Sequence, residues 1–211
     1  MQRCFARGAR HAFITTGLKS NIAFVDCYSK DGHLSPEPHN RWTSAVLFDN
    51  VYSDSQFKLD GKTKPTVKHG QKAANCALWN CVSENYRHYE PEIWLNRPPA
   101  NLAQNWVVGC LLRGSHVPAI KNTRGYGEDG YVESIDQNVI PRSLFMAQFI
   151  DRVNESSLAK IVTRNQLLSR QAVYDDMLGK YSSTFEFGDP DNIESWIPEI
   201  PSYNYAASEE K

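Results

Sequence analysis

The 211-residue sequence predicts an all-β chain wound as a parallel β-helix (a solenoid), with a C-terminal helical segment and an extended acidic tail. Three observations predict it. Four short segments end alike: Phe24-Val25-Asp26-Cys27, Phe48-Asp49-Asn50-Val51, Leu78-Trp79-Asn80-Cys81 and Val107-Val108-Gly109-Cys110. Each sets apolar residues before a polar or small residue and then Cys or Val. With Arg3-Cys4 as the end of an earlier copy, the intervals are 23 (4 to 27), 24 (27 to 51), 30 (51 to 81) and 29 residues (81 to 110). A repeat of about 20–50 residues with one short strand per copy stacks strand on strand. Through residues 1–140, Gly, Pro, Asn and Asp also interrupt apolar runs that are too short for helices.

The elements follow in order. Strands are expected at Ala12–Thr15, Ile22–Cys27, Ala45–Val51, Ala77–Val82, Trp106–Leu112 and Tyr131–Glu133. Cys and Val are small and apolar, so they suit a tight inner ladder. Asp26, Asn50 and Asn80, one residue earlier, would stack as a polar ladder at a bend. Longer insertions fall at about 28–41, 53–72, 84–104 and 113–130, where loops on a rigid scaffold carry function.

Residues 1–140 thus form the β-helix coils and 141–185 a helical cap. Ser143 is an N-cap ahead of Leu144, Phe145, Met146, Phe149 and Ile150 at helical spacing. Further helices cover about 156–164 and 165–178, the last stopping at Gly179. Residues 186–211 hold seven acids and one Lys and read as an extended acidic tail.

Composition sets bounds. With 23 basic and 24 acidic residues the net charge is −1, which gives no bulk field for nucleic acid or a membrane. No apolar run is long enough for a membrane span, and the N-terminus lacks the apolar stretch of a signal peptide. Five cysteines without a CxxC pair argue against a disulfide framework or a zinc ribbon, and they are expected reduced and buried. Gly125-Tyr126-Gly127-Glu128-Asp129-Gly130 matches GxGxxG, but no strand precedes it and its two acids repel phosphate, so it is read as a turn.

Basic and aromatic residues fall between the strands: Arg10-His11, His39-Asn40-Arg41-Trp42, Lys68-His69-Gly70-Gln71-Lys72 and Gln104-Asn105-Trp106. His39 and Arg41 precede Val51 by 12 and 10 residues, and His69 precedes Cys81 by 12, so the same phase recurs on adjacent copies. Such a face suits an anionic sugar polymer. Arg grips carboxylate or sulfate, His moves a proton, and Trp42, Trp79, Trp94 and Trp106 offer stacking faces. No metal-ligating set is assigned.

The run His39-Asn40-Arg41-Trp42-Thr43-Ser44-Ala45-Val46-Leu47-Phe48-Asp49-Asn50-Val51 resembles the HHRWATGxLYDN segment of bacterial and fungal pectate-lyase-like proteins. Arg10-His11-Ala12-Phe13, His69-Gly70, Leu78-Trp79-Asn80-Cys81, Gln104-Asn105-Trp106-Val107-Val108-Gly109 and Gly130-Tyr131-Val132-Glu133-Ser134 look like other signatures of that group, as does Val139-Ile140-Pro141-Arg142-Ser143-Leu144-Phe145. The resemblance covers about residues 3–153. It implies a right-handed parallel β-helix and a secreted, extracellular, carbohydrate-active protein. It also implies that this chain corresponds to the C-terminal part of longer family members. The open first strand would present unpaired backbone groups, so association with another chain that caps it is an expectation. Calcium is the cofactor the resemblance allows. Asn40 and Gln71 depart from the family pattern, standing where it has a second His and a Trp.

The leading functional expectation is a polysaccharide lyase acting on a uronic-acid-containing glycan by β-elimination. Resemblance and phase assign Arg41 as charge neutraliser and His69 or His39 as base or acid. His11, Arg10, Trp42, Lys68, Lys72 and Asn105 are assigned to substrate binding. The alternatives are a non-catalytic glycan-binding or structural β-helix, and a glycoside hydrolase of the same fold.

Overall fold

The computed structural model describes residues 1–17, 19–41, 43–60, 72–85, 92–96, 103–114, 120–121 and 129–181. Apolar residues alternating with small or polar ones make short strands, all paired in parallel. One sheet holds β1 (Phe5–Arg7), β4 (Tyr28–Lys30), β7 (Tyr52–Ser53), β11 (Val82–Ser83) and β14 (Leu111–Leu112), in that order. A second, smaller sheet pairs β2 (Thr15–Thr16) with β5 (Pro38–Asn40). The largest runs from β3 (Lys19–Val25) through β6 (Thr43–Asp49), β10 (Cys76–Trp79) and β13 (Asn105–Val108) to β16 (Tyr131–Glu133), with β9 (Ala73–Ala74) beside β6. A fourth joins β8 (Phe57–Leu59), β12 (Ile93–Leu95) and β15 (Ile120–Lys121).

The expectation of an all-β, right-handed parallel β-helix is corrected. The described residues form a mixed α and β arrangement of several separate parallel sheets and four short helices, in which no solenoid or closed sheet is identified. Two local features account for the difference. The first is a backbone break at the end of every strand of the large sheet. Asp26, Asn50, Asn80, Gly109 and Ser134 have φ of 52°, 55°, 50°, 70° and 51°. Asn, Asp and Gly enter this left-handed region most readily. The chain turns there, so Ala45–Val51, expected as one strand, is β6 and then a bend, and Ala77–Val82 is divided between two sheets. The second is the helical spacing after Pro141, which removes that segment from any sheet.

The register of the repeat ends is nonetheless present in the pairing. The amides of Asp26, Asn50 and Asn80 donate to the carbonyls of Asp49, Trp79 and Val108 at 2.9, 2.8 and 2.9 Å. Cys27, Val51, Cys81 and Cys110 therefore follow in step on neighbouring strands, each buried and none in a disulfide. Phe24, Phe48, Leu78 and Val107 sit opposite one another in the large sheet and point into the core. There they meet Phe57, Leu59, Ile93 and Leu95 of the fourth sheet.

The helices are α1 (Leu144–Arg152), α2 (Glu155–Leu158), α3 (Arg164–Leu168) and α4 (Arg170–Tyr181). Ser143 caps α1 by accepting from the Met146 amide, and Thr163 and Gln166 form a capping box on α3. α4 continues through Gly179, where the sequence suggested a stop. Met146 and Leu158 pack with Val25, while Val173, Tyr174 and Met177 pack with Tyr28. Tyr28 and Tyr52 stack at 4.1 Å, and the Tyr174 ring meets both edge-on. None of these helices is long and apolar enough to cross a membrane. The acidic tail lies outside the described residues.

The bend residues tie the helical segment to the strands. The Asn80 amide donates to the Val139 and Arg142 carbonyls and accepts from the Val139 amide. A Cβ at Gly109 would lie 2.2 Å from Asn80 Oδ1 and 2.9 Å from Val139 Cγ2. Gly109→Ala therefore combines a clash with an unfavourable φ. It should cost about 1–3 kcal/mol, read as a lower urea midpoint at unchanged slope.

Asp49, fully buried, accepts from Ser143 Oγ, the Phe145 amide and Asn50 Nδ2, each at 2.7 Å. Burial raises its carboxyl from 3.8 to about 6; the three hydrogen bonds offset part of that, and nearby Asp26 adds to it. The folded state thus holds this proton more tightly than the unfolded state. The associated stability is complete below pH 3.8 and is lost as pH rises through about 6. The loss is on the order of 3 kcal/mol between those limits. Denaturant midpoints of the protein should fall across that window, and those of Asp49→Asn should show a flatter profile.

Candidate functional site

The segment Ser35-Pro36-Glu37-Pro38-His39 is locally rigid. Each proline fixes its own φ and biases the residue before it towards extended backbone, so alternate side chains share a side. Ser35 Oγ donates to Glu37 Oε2 at 3.0 Å, and His39 Nδ1 is hydrogen-bonded to Glu37 Oε1. β5 pairs with β2 across the sheet, which brings in the segment that starts at Arg10. His11 Nδ1 lies 3.0 Å from the Ser35 carbonyl oxygen and 3.9 Å from Glu37 Oε1. The His11 and His39 rings meet edge-on at 5.0 Å.

From the interior, Lys72 Nζ lies 3.4 Å from both Glu37 oxygens and 3.9 Å from Asp60 Oδ1. Glu37, Lys72 and Asp60 are buried, while the His11 and His39 side chains keep 13% and 24% of their exposure. The cluster is therefore a buried charge network with two imidazoles at its rim. Burial acts to raise the Glu37 carboxyl. Lys72, the hydrogen bonds from His39 and Ser35, and the His11 ring outweigh it and hold the group below its usual range. Glu37 is thus ionised at neutral pH, and its contribution to stability is lost only as pH falls through that lowered value.

Three residues read from the sequence meet at this cluster: His11, His39 and Lys72. Arg10 and Arg41 are exposed, each next to or near a cluster histidine in the chain. Arg41 takes a φ of 56°. Asn105 is fully buried elsewhere. It accepts from the Cys76 amide and donates to the Leu59, Ala73 and Asn96 carbonyls, a role internal to the strands. Trp42, Lys68 and His69 lie outside the described residues. Glu37, the centre of the cluster, was missed. Its signal was the Ser-Pro-Glu-Pro-His spacing, which places three polar side chains on one side.

A groove of about 690 Å³ runs along the outer face of the large sheet, opposite the core. Ala23, Leu47, Ala77 and Trp106 form its floor, and Phe145 and Arg152 of α1 stand at its wall. Trp79 also lines it, with its indole nitrogen donating to the Pro141 carbonyl. The chain runs on from His39 into β6 and from Lys72 into β10, which carry part of this floor.

Compared with known proteins, the chain matches no family model, no curated protein and no solved structure. The geometry also tests the calcium that the sequence resemblance allows. Calcium takes about 6–8 oxygen ligands. The cluster offers one carboxylate and two imidazoles beside an ammonium group, while Asp26 is bound to Arg142 and Asp49 to Ser143. These residues do not fit calcium, and no chemical step is derived through it.

Proposed function

We propose that this protein binds an anionic, uronic-acid-containing glycan and cleaves it by β-elimination. One observation carries the reading: two partly exposed imidazoles converge on a buried, ionised carboxylate, with the Lys72 ammonium beside it. In the reaction a base removes the proton α to the uronate carboxyl. The C4–O bond breaks, a C4–C5 double bond forms, and the leaving oxygen takes a proton.

Each role follows from local chemistry. A carbonyl oxygen only accepts, so His11 Nδ1 carries the hydrogen shared with Ser35, and Nε2 is the ring nitrogen placed to take the substrate proton. His11 is the base. His39, held in place by the hydrogen bond between its Nδ1 and Glu37, serves as the acid that protonates the leaving oxygen. Arg41, exposed two residues beyond His39, pairs with the uronate carboxylate and stabilises the charge that develops there. Neighbouring sugars lie along the groove, with ring faces against Trp106.

The second reading, glycan binding without turnover, rests on the groove alone. Affinity gels cast with pectate, alginate, ulvan or a glycosaminoglycan separate the two. The proposal expects retardation by an acidic polymer, weakened in Arg41→Ala, together with unsaturated product that absorbs in the ultraviolet. Retardation without product assigns the binding module. New reducing ends without that absorbance assign a hydrolase. No retardation and no product by any polymer contradicts both glycan readings.

A further inference from the structure

The geometry points to a binding site for a divalent transition-metal ion of the zinc class at His11, Glu37 and His39. Each of the three presents one ligand atom, and these atoms lie within 4.8 Å of one another. Two imidazoles and one carboxylate are a borderline-soft set that suits zinc or cobalt and leaves a further position open. Such an ion draws its ligands to about 2.0–2.2 Å, so small side-chain rotations close the set.

The surroundings act as an outer shell. Ser35 holds both ends of the arrangement, its hydroxyl on Glu37 Oε2 and its carbonyl on the His11 ring. Lys72 opposes the ion, being 3.4 Å from both Glu37 oxygens. Asp60, 3.9 Å from the Lys72 ammonium, shares that charge with Glu37. The two imidazoles, partly exposed at the rim, give the ion a path from solvent. The ion and the elimination use the same side chains, so they exclude one another: with the ion bound, His11 and His39 are ligands and not base and acid, and the binding measurement itself involves no glycan.

Zinc titration by calorimetry and the visible spectrum of the cobalt-loaded protein test it on the full chain. One ion should bind per chain, with cobalt absorption of the four-coordinate kind and no thiolate charge-transfer band. Ser35→Ala, which removes only the hydroxyl holding Glu37, should weaken zinc binding about 10- to 100-fold. His39→Gln should weaken it further, and Lys72→Met should tighten it. Cys4→Ser, which removes a half-buried thiol outside the cluster, should leave it unchanged. Equal zinc affinity in the protein, Ser35→Ala and His39→Gln overturns the site. So does loss of binding in Cys4→Ser, or displacement of zinc by an equal concentration of calcium.

Discussion

Glu37→Gln is expected to lower glycan cleavage about 10²- to 10⁴-fold, the range over which a positioned acid or base acts. The substitution keeps the shape and a hydrogen-bonding oxygen but removes the negative charge. Two consequences follow. His39 loses the charged hydrogen-bond acceptor that fixes its ring through Nδ1, so proton delivery to the leaving oxygen slows. The amide can also present its NH2 group to His39 or Lys72, which turns the rings from their positions. Lys72 retains Asp60 at 3.9 Å, so the buried ammonium keeps a counter-charge and the fold should persist. The loss should appear in kcat, with KM for the polymer little changed, because Glu37 is buried and touches no sugar. A Glu37→Gln protein that cleaves as fast as the parent would remove Glu37 from the account.

Arg142→Ala carries the largest expected cost to stability, about 3–5 kcal/mol. Asp26 is fully buried, and Arg142 holds both its oxygens, at 2.7 and 3.2 Å. Without the guanidinium, the remaining side-chain donor to Asp26 among the described contacts is Gln166 Nε2 at 2.9 Å. A buried carboxylate stripped of its counter-charge is costly, and Arg142 also opens the helical segment through Ser143 and α1. Both the strands and the helices depend on this junction, so denaturation should remain a single transition with a lower midpoint. Arg142→Lys, which supplies charge without the two-pronged geometry, should recover only part of the loss. An Arg142→Ala midpoint close to the parent's would show that the helices are held by the Val25 and Tyr28 packing alone.

Much of the strand register was legible in the residues themselves. The recurring polar-then-small endings mark where the backbone turns, because Asp26, Asn50, Asn80 and Gly109 are residue types that enter positive φ readily. The Ser143 cap and the apolar spacing of α1 were equally local signals. The fold class was not legible. A repeat of strand endings reports neighbours in one sheet, and it carries no information on how the remaining strands divide among separate sheets. The cluster was legible in part. His11, His39 and Lys72 stood out as residue types, whereas Glu37 owes its burial to Lys72, 35 residues away, a contact that spacing does not encode. Asn105 shows the converse. Its neighbours Gln104 and Trp106 suggested a binding face, but the strand alternation turns its amide inward to four backbone groups.

The central claim is that the His11 and His39 pair above Glu37 eliminates across a uronate. The ultraviolet absorbance of unsaturated product, followed with pectate, alginate, ulvan and glycosaminoglycans in turn, tests it most directly. The account predicts a steady rise with at least one of these polymers, abolished in His11→Ala and in Glu37→Gln. A flat trace with every polymer, or an undiminished rise in both variants, would contradict it.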